Sequence, residues 1–156
     1  MNKSTFQDAI EIIDALFDTV LTISANDYWK VDIGEINEDL AVEIFNFTSF
    51  DVLGYTVSLD THGIRHIIKH HGTDKKEQSR GQKAIQKKDF RLLIKMINAP
   101  DNINDAGKSS IGNACILIEK EINEVHYFSI WEIITVTSKN KNKKSRIVLQ
   151  TLYARG

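Results

Sequence analysis

Four of the five histidines in the chain lie within ten positions, at His62, His66, His70 and His71. Histidine is the side chain whose unperturbed pKa, about 6.5, lets it accept and donate protons near neutral pH. His62, His66 and His70 are spaced by four residues, so a helix over this segment places them on one face. Imidazoles at this spacing are suited to two chemistries, metal binding and metal-free acid–base catalysis.

Metal binding is the less favoured of these two chemistries. Histidines at positions i and i+4 can chelate zinc, but the segment lacks the glutamate of a His-Glu-x-x-His motif. The single cysteine, Cys115, excludes a multi-cysteine zinc site and an internal disulfide. We therefore expect no metal and no cofactor, and we keep a metal-dependent hydrolase that uses His62, His66 and His70 as an alternative.

Ten Lys or Arg side chains accompany the histidines between residues 65 and 95, against three acidic side chains. Positive side chains bind the phosphates of nucleic acids, and neighbouring histidines supply the proton transfers that phosphodiester cleavage requires. The basic candidates for contacts with a substrate are Arg65, Lys69, Arg80 and Lys88.

The net charge of −1 over 156 residues conceals two unlike portions. Residues 1–60 hold 2 Lys or Arg against 12 Asp or Glu, a balance of −10, and residues 61–156 hold 18 against 9, a balance of +9. Such asymmetry indicates a face that binds a polyanion. The length and the 42% of hydrophobic residues favour one globular domain over 1–156, with an acidic portion, 1–60, and a basic portion, 61–156.

We expect a cytoplasmic protein without a membrane partner. No apolar run approaches the roughly 20 residues that span a bilayer. The first residues carry acidic side chains where a signal peptide has its apolar core.

The periodicity of the apolar residues predicts an α+β protein in which helices precede an antiparallel sheet. Helices are predicted over 5–23, 37–46, 61–71 and 90–97, the last of them capped by Asp89, and 73–88 is predicted to be an exposed loop. Extended segments are predicted over 28–33, 50–59, 114–120, 125–137 and 145–153. Trp29 and Trp131 are expected to be core or sheet-packing residues, and a basic run over 139–144 falls in a hairpin connection.

The last predicted strand carries further candidates for the site. Alternation places Ile147, Leu149, Thr151 and Tyr153 on one face of that strand. The Thr151 hydroxyl can donate to a phosphate, and Tyr153 can donate to a phosphate or stack on a base. Lys120, at the end of an earlier strand, is a weaker candidate for stabilising negative charge.

A set of short motifs resembles the phage-type nucleases of the barnase–EndoU–colicin–RelE class. The motifs occur in the order His66-Ile67-Ile68-Lys69-His70-His71-Gly72, Glu77, Gly81-Gln82, Asp89-Phe90 and Pro100-Asp101-Asn102-Ile103. The resemblance runs from about residue 60 to residue 153. This chain has His70 where the family pattern has arginine, and Lys69 or Arg65 is the candidate to supply the missing positive charge.

This resemblance implies a barnase/RelE-like α+β fold and metal-independent cleavage of RNA, with tRNA as one candidate substrate. It implies that His66 and His71 are the acid and the base, without assigning which is which, that Thr151 is the family's late hydroxyl residue, and that His70 and Gln82 contact the substrate. Members are often toxins of phages or mobile elements, so a cognate inhibitor protein is an expected partner. A non-catalytic module that binds RNA or a partner is the second alternative.

Overall fold

The computed structural model describes residues 3–24, 26–137 and 143–156. Six helices occur in these ranges: α1 (Lys3–Val20), α2 (Glu38–Thr48), α3 (Thr61–His71), α4 (Asp74–Ser79), α5 (Lys87–Phe90) and α6 (Leu93–Asn98). Six strands occur with them: β1 (Lys30–Glu35), β2 (Thr56–Asp60), β3 (Asn102–Lys108), β4 (Ala114–Ile122), β5 (Val125–Ile134) and β6 (Arg146–Arg155). Among the helices so described, none is long and apolar enough to cross a bilayer.

The strands form one sheet in the order β1-β2-β6-β5-β4-β3. All neighbouring strands are antiparallel except β2 and β6, which run parallel from Thr56 to Ser58. The predicted α+β class is confirmed. The strands β1 and β2 of the acidic portion overlap the predicted extended segments 28–33 and 50–59, and they lie in the same sheet as the four strands of the basic portion.

The core lies between the helices and one side of the sheet. The inward side chains of α1 include Ile13 and Leu16, and those of α3 include Ile64 and Ile67. Trp131 is fully buried in this core, as predicted.

Trp29 is not a core residue, because 57% of it is exposed. Trp29 precedes the edge strand β1, and its backbone pairs with Thr61, the residue that follows β2. Its N–H donates to Thr61 Oγ1 at 3.2 Å, and its carbonyl accepts from the Thr61 N–H at 2.9 Å. The residue is thereby anchored through its main chain while its indole lies at the surface.

A bulge at Gln150 decides which side chains of β6 reach the core. Thr151 lies opposite Ile130 on β5, whereas Leu149 lies opposite Trp131, so Gln150 is an extra residue in the ladder. An extra residue exchanges the two faces of a strand. The prediction that Leu149 and Thr151 share a face is therefore wrong. Leu149 is buried in the core, while Thr151 and Tyr153 lie on the opposite side of the sheet, which we call the site face.

Three further differences concern the middle of the chain. The predicted loop over 73–88 contains α4 and begins α5, because its polar residues form short helices that local hydrophobic periodicity does not reveal. Asp89 does not precede its helix: Gln86 is the N-cap residue, and the Asp89 carboxylate accepts the Gln86 N–H at 2.7 Å from within the first turn. The strand β3 was not predicted, since Asn102–Lys108 is a polar edge strand.

The predicted connection between β4 and β5 is confirmed as a two-residue turn, in which Asn123 and Glu124 both have positive φ. The predicted basic connection before β6 lies mostly outside the described residues, which end at 137 and resume at 143.

Candidate active site

Helix α3 presents the histidines to the site face. Asp60 caps its start by accepting the Gly63 N–H at 2.7 Å, and Gly72 ends it by donating to the Ile68 carbonyl at 3.1 Å. Since Ile64 and Ile67 are buried in the core, His62 and His66 lie on the solvent side of the helix. The sequence prediction of a helix over 61–71 ended by Gly72 is confirmed.

The absence of a side chain at Gly63 lets α3 approach β6 closely. A Cβ at this position would lie 2.5 Å from the Leu149 carbonyl oxygen. The missing Cβ therefore sets how closely α3 can pack against β6, the strand that carries Thr151 and Tyr153.

Three histidine rings and one tyrosine ring form a contiguous cluster at the end of α3. The centroid of His66 lies 4.6 Å from that of His70 and 6.2 Å from that of His71. The His71 ring stacks on Tyr153 of β6 at 5.7 Å. Four residues singled out in the sequence are therefore brought together by the fold, three of them from one helix and the fourth from a strand 82 residues or more along the chain.

A buried carboxylate orients His71. Glu77 of α4 is 0% exposed, and its two oxygens lie 3.2 and 3.1 Å from His71 Nδ1. Arg80 donates to Glu77 Oε1 at 2.7 Å and also to the His70 carbonyl. Because a carboxylate only accepts hydrogen bonds, Nδ1 of His71 carries the hydrogen and Nε2 is left for a substrate.

Sequence reasoning gave Glu77 a place in a motif but no role. The signal that could have found it is its place in a strongly basic segment, six residues after His71, where acidic side chains are few. If this segment folds back onto α3, a carboxylate buried there needs a positively charged or hydrogen-bonding partner.

The surroundings of His66 and His70 lower the pKa of both side chains. Partial burial, followed by the positive charges of His70, His71 and Lys69, lowers the pKa of His66. Desolvation and the charges of Lys69 and Lys76 lower the pKa of His70 as well. His66 is thus mainly neutral near pH 7, which is the state of a proton acceptor.

A cleft of about 460 Å³ extends from His66 across the site face. Thr151 lines it, and its buried Oγ1 makes no hydrogen bond with any described residue. Glu132, which is 7% exposed, also lines the cleft and accepts the side-chain amides of Asn113 and Gln150 at 3.2 and 3.1 Å. The cleft therefore combines a hydroxyl from β6, a carboxylate from β5 and His66 from α3.

Tyr153 belongs to a row of rings that crosses the site face. Its ring is nearly parallel to that of Phe128, with centroids 4.7 Å apart, and Phe128 in turn stacks on His126 at 4.5 Å. His126 Nε2 lies 3.1 Å from Glu119. Phe128 was not singled out in the sequence, because an aromatic residue in a strand carries no sign of which face it occupies.

The structure does not bring Lys120 to this cluster. Lys120 pairs with Tyr127, whose side chain is buried on the core side, whereas its neighbour Glu119 pairs with Phe128 on the site face. The Lys120 amine instead donates to the Ala99 carbonyl at 2.6 Å. Lys120 therefore stabilises the turn before β3.

The residues predicted to contact the substrate differ in their position relative to the cluster of histidine and tyrosine rings. Arg80 borders the cluster through Glu77, and Lys69 is exposed on α3 next to His70. Arg65 donates to the carbonyls of Ser24 and Asp27 at 2.7 and 3.1 Å, so it ties α3 to the segment after α1.

Gln82 and Lys88 are the remaining residues that were predicted to contact the substrate. The Gln82 N–H donates to the Glu77 carbonyl at 2.7 Å, and its buried Oε1 has no partner among the residues described. Lys88 is exposed at a separate cleft that Asp89 and Tyr127 also line.

Within the described ranges, no three His, Cys, Asp or Glu side chains converge in a way that could hold a metal ion. The alternative of a metal site at His62, His66 and His70 therefore finds no support in the geometry. His62 instead faces Tyr28, with ring centroids 5.1 Å apart.

The sheet and the third helix of this α+β fold bring His71 onto Tyr153, next to a cleft lined by His66 and Thr151, and these are residue types suited to acid–base chemistry. The chain belongs to the family of phage-Barnase-EndoU-ColicinE5/D-RelE like nucleases, since residues 34–155 match the one described as phage-Barnase-EndoU-ColicinE5/D-RelE like nuclease3. The resemblance noted in the sequence is thereby confirmed, and the protein is a nuclease by family. Comparison with curated proteins and with solved structures finds no match.

Proposed function

We propose that this protein is a metal-independent endoribonuclease that uses His66 and His71 as its base and acid. The observation that carries the proposal is the joint position of the two rings, with centroids 6.2 Å apart, beside the Thr151 hydroxyl and the Tyr153 ring. RNA supplies its own nucleophile, the 2′-hydroxyl, so the enzyme needs only a base, an acid and donors for the phosphate.

In the proposed reaction, neutral His66 takes the proton of the 2′-hydroxyl as O2′ attacks phosphorus. The P–O5′ bond breaks, and protonated His71 gives its Nε2 proton to the leaving O5′. The products are a 2′,3′-cyclic phosphate and a 5′-hydroxyl. Thr151 Oγ1 and the Tyr153 hydroxyl are the proposed donors to the negative phosphate oxygens.

The electrostatics of the cluster support this division of roles. His66 has a lowered pKa, so it stays unprotonated at neutral pH, and the acid limb of the pH–activity profile is expected below pH 6.5, where His66 takes up a proton. Glu77 holds His71 with Nε2 available to the substrate.

The test is cleavage of an RNA panel that includes tRNA, in the presence of EDTA, with analysis of the ends. We expect 2′,3′-cyclic phosphate ends, and we expect His66→Ala or His71→Ala to lower kcat by about 10²–10⁴. His126→Ala is the matched control, because His126 is a histidine of the same face that lies beyond Phe128. RNA left intact would reject the activity, and wild-type rates in both variants would reject the assigned roles.

We further propose that the protein acts as a toxin with a cognate inhibitor, as members of this family often do. Induced expression in a bacterial host should stop growth, and His71→Ala should restore it. Equal growth arrest by the wild type and by His71→Ala would argue against a toxicity that depends on cleavage.

A further inference from the structure

A second cleft, of about 440 Å³, takes no part in the proposed reaction. Asp89 and Tyr127 lie at its floor, each 7% exposed, and the Tyr127 hydroxyl donates to Asp89 Oδ1 at 2.9 Å. The Gln86 N–H donates to the other oxygen of this carboxylate at 2.7 Å. Because both carboxylate oxygens have a donor, the charges of the cleft that are open to a ligand are those of Lys83 and Lys88, which are exposed at its rim.

The two lysines of α5 differ in their partners. Lys87 forms an ion pair with Asp18 of α1 at 2.8 Å. Lys88, the next residue, lines the cleft, and neither it nor Lys83 forms an ion pair with any residue that the structure describes. Two positive charges at one cleft repel each other, and a bound anion removes that repulsion. The rim of the second cleft is therefore suited to a negatively charged group.

The segment 83–85 connects this cleft to the histidine cluster. It lines the cleft through its first two residues. The Lys83 N–H donates to the Ala154 carbonyl of β6 at 2.7 Å, and the Ile85 N–H donates to the His71 carbonyl at 2.7 Å. The second cleft and the proposed acid thus lie on either side of one short backbone segment.

Arg155 adds a further positive charge between the two places. It is exposed, and its guanidinium lies 5.6 Å from the Phe128 ring on the site face. It follows Ala154, the residue that pairs with Lys83. Positive side chains therefore continue from the row of rings to the rim of the second cleft.

One wall of the second cleft is apolar. Leu92, Ile122 and Val125 line it, and these partly buried side chains pack against the hydrophobic core. Such a wall suits the uncharged part of a ligand whose charge is held at the rim. A nucleotide has both parts, a phosphate and the less polar faces of its sugar and base.

We propose that the second cleft binds the RNA strand at a phosphate outside the cleaved bond, with Lys83 and Lys88 on the phosphate and the apolar wall against the adjoining nucleotide. This inference rests on the proposed ribonuclease function. Proteins that bind single-stranded nucleic acid combine a positive groove with contacts to the sugars and bases in this way. Binding energy gained away from the reacting atoms lowers KM without raising kcat. The cleft should therefore favour long substrates over short ones.

The first test is binding of single-stranded 2′-O-methyl RNA of about 15 nucleotides to the full chain, measured by fluorescence anisotropy over a range of salt concentrations. This RNA keeps the phosphates but lacks the 2′-hydroxyl nucleophile, so no cleavage accompanies binding. Lys83→Gln and Lys88→Gln should each weaken binding by about fivefold, the strength of an exposed ion pair. Each should also reduce the slope of log Kd against log salt by about 0.7, as one phosphate contact is lost.

Lys87→Gln is the matched control, because it removes the same charge from the neighbouring residue, which pairs with Asp18. Its affinity should stay within about twofold of the wild type. Equal losses in Lys87→Gln and Lys88→Gln would show an effect of net charge alone and overturn the site. A polyglutamate peptide that binds more tightly than the RNA, and loses its affinity in Lys88→Gln, would assign the cleft to an acidic protein and also overturn the proposal.

The second test is cleavage of a dinucleotide and of a long RNA by the wild type and by Lys88→Gln. We expect a KM raised by about fivefold for the long RNA only, with kcat unchanged for both substrates. Cleavage combined with lysine-independent binding would reject the second cleft and leave the ribonuclease proposal intact. Lysine-dependent binding by a protein that cleaves no RNA would reject the ribonuclease proposal and support the cleft as an RNA site.

Discussion

The carboxylate of Glu77 is the residue on which the geometry of His71 depends. It is fully buried and lies between a histidine and Arg80, which donates to it at 2.7 Å. A carboxylate in this position selects one tautomer of the imidazole and fixes the orientation of the ring. Glu77 touches no part of the cleft itself, so we regard it as a positioning residue.

We predict that Glu77→Gln lowers kcat by at least about tenfold while KM changes little, because the orientation of the imidazole depends on this carboxylate. The free energy of unfolding should fall by about 1–3 kcal/mol, as a buried hydrogen-bonding partner is changed. Steady-state kinetics and urea unfolding provide the two measurements.

Glu119→Gln is the matched control for this prediction. Glu119 makes a similar contact with His126, 3.1 Å from Nε2, at the far end of the row of rings. It should leave kcat within twofold of the wild type. Equal losses in the two variants would show that Glu77 has no particular connection with the reaction.

Thr151 offers a prediction in which stability and activity change in different directions. Its Oγ1 is buried without a hydrogen bond to any described residue, and an unsatisfied buried hydroxyl costs about 1–3 kcal/mol. Thr151→Val should therefore unfold at the same or a higher urea concentration. It should also lower kcat by about 10- to 100-fold, because a donor to the phosphate is lost.

The conservative variant separates the hydroxyl from the shape of the side chain. Thr151→Ser keeps the donor and should retain most of the wild-type kcat. If Thr151→Val is as active as the wild type, the hydroxyl takes no part in the reaction.

The bulge in β6 is the element that makes the site possible. A regular strand would have placed Thr151 on the core side with Leu149, away from His66. The extra residue, Gln150, exchanges the faces and supplies an amide that donates to Glu132 at 3.1 Å. One local irregularity thus places two residues of the strand on the site face and holds the carboxylate at the floor of the cleft.

The close packing of α3 against β6 gives a prediction for Gly63. Alanine is normally favoured over glycine inside a helix by about 1 kcal/mol, but a Cβ at Gly63 would lie 2.5 Å from the backbone oxygen of Leu149. Gly63→Ala should therefore destabilise the protein by about 1–3 kcal/mol. It should also reduce kcat, since the helix that carries His66 must move.

Urea unfolding and steady-state kinetics measure these effects. Lys69→Ala, at an exposed position of the same helix, should change the free energy of unfolding by no more than about 0.5 kcal/mol. A Gly63→Ala variant of increased stability would show that the helix and strand can separate without cost.

The charges of the whole molecule are arranged by pairing between its two portions. Lys87 pairs with Asp18 and Arg91 with Asp14, both at 2.8 Å. The carboxylate of Asp32 forms ion pairs with both Lys144 and Arg146. Part of the positive surplus of residues 61–156 is thus directed to the acidic portion rather than to a ligand. The side chains in the basic segment that remain exposed near the histidines include Lys69, Lys75, Lys76 and Lys83.

Asp32 connects β1 to β6, and its ionisation gives a pH-dependent prediction. Although burial opposes it, hydrogen bonds from Lys144, Ser58 and Arg146 hold the pKa of Asp32 below 3.8. A carboxylate whose pKa is lowered in the folded state stabilises that state above its ordinary pKa and ceases to do so as the pH falls through the folded value. The stabilisation by Asp32 is therefore complete at pH 7 and is lost below pH 3.8.

We predict that Asp32→Asn is less stable than the wild type at pH 7 and that the difference narrows as the pH falls below 3.8, because asparagine does not ionise. Urea unfolding at a series of pH values measures the difference. Glu43→Gln, which changes an exposed acid on α2, should show no such pH-dependent difference. A difference between the wild type and Asp32→Asn that is the same at every pH would contradict the assignment.

The amino-acid sequence by itself determined the chemistry available to this protein and the local structure that carries it. The spacing of the histidines, the cap at Asp60 and the stop at Gly72 define α3 within a single segment, so neighbouring residues suffice to predict it. The order of short motifs was enough to identify the family. Each of these features depends on interactions between residues close together in the chain.

The tertiary structure alone decided how those groups meet. The bulge at Gln150, the burial of Glu77 beside His71 and the cleft lined by His66, Glu132 and Thr151 all depend on how the helices pack on the sheet. A one-residue change of register moves every later side chain to the other face of a strand, and nothing in the alternation of β6 marks where it occurs. The residue types of the site could therefore be predicted from the sequence, whereas their arrangement into one site could be seen only in the packed sheet.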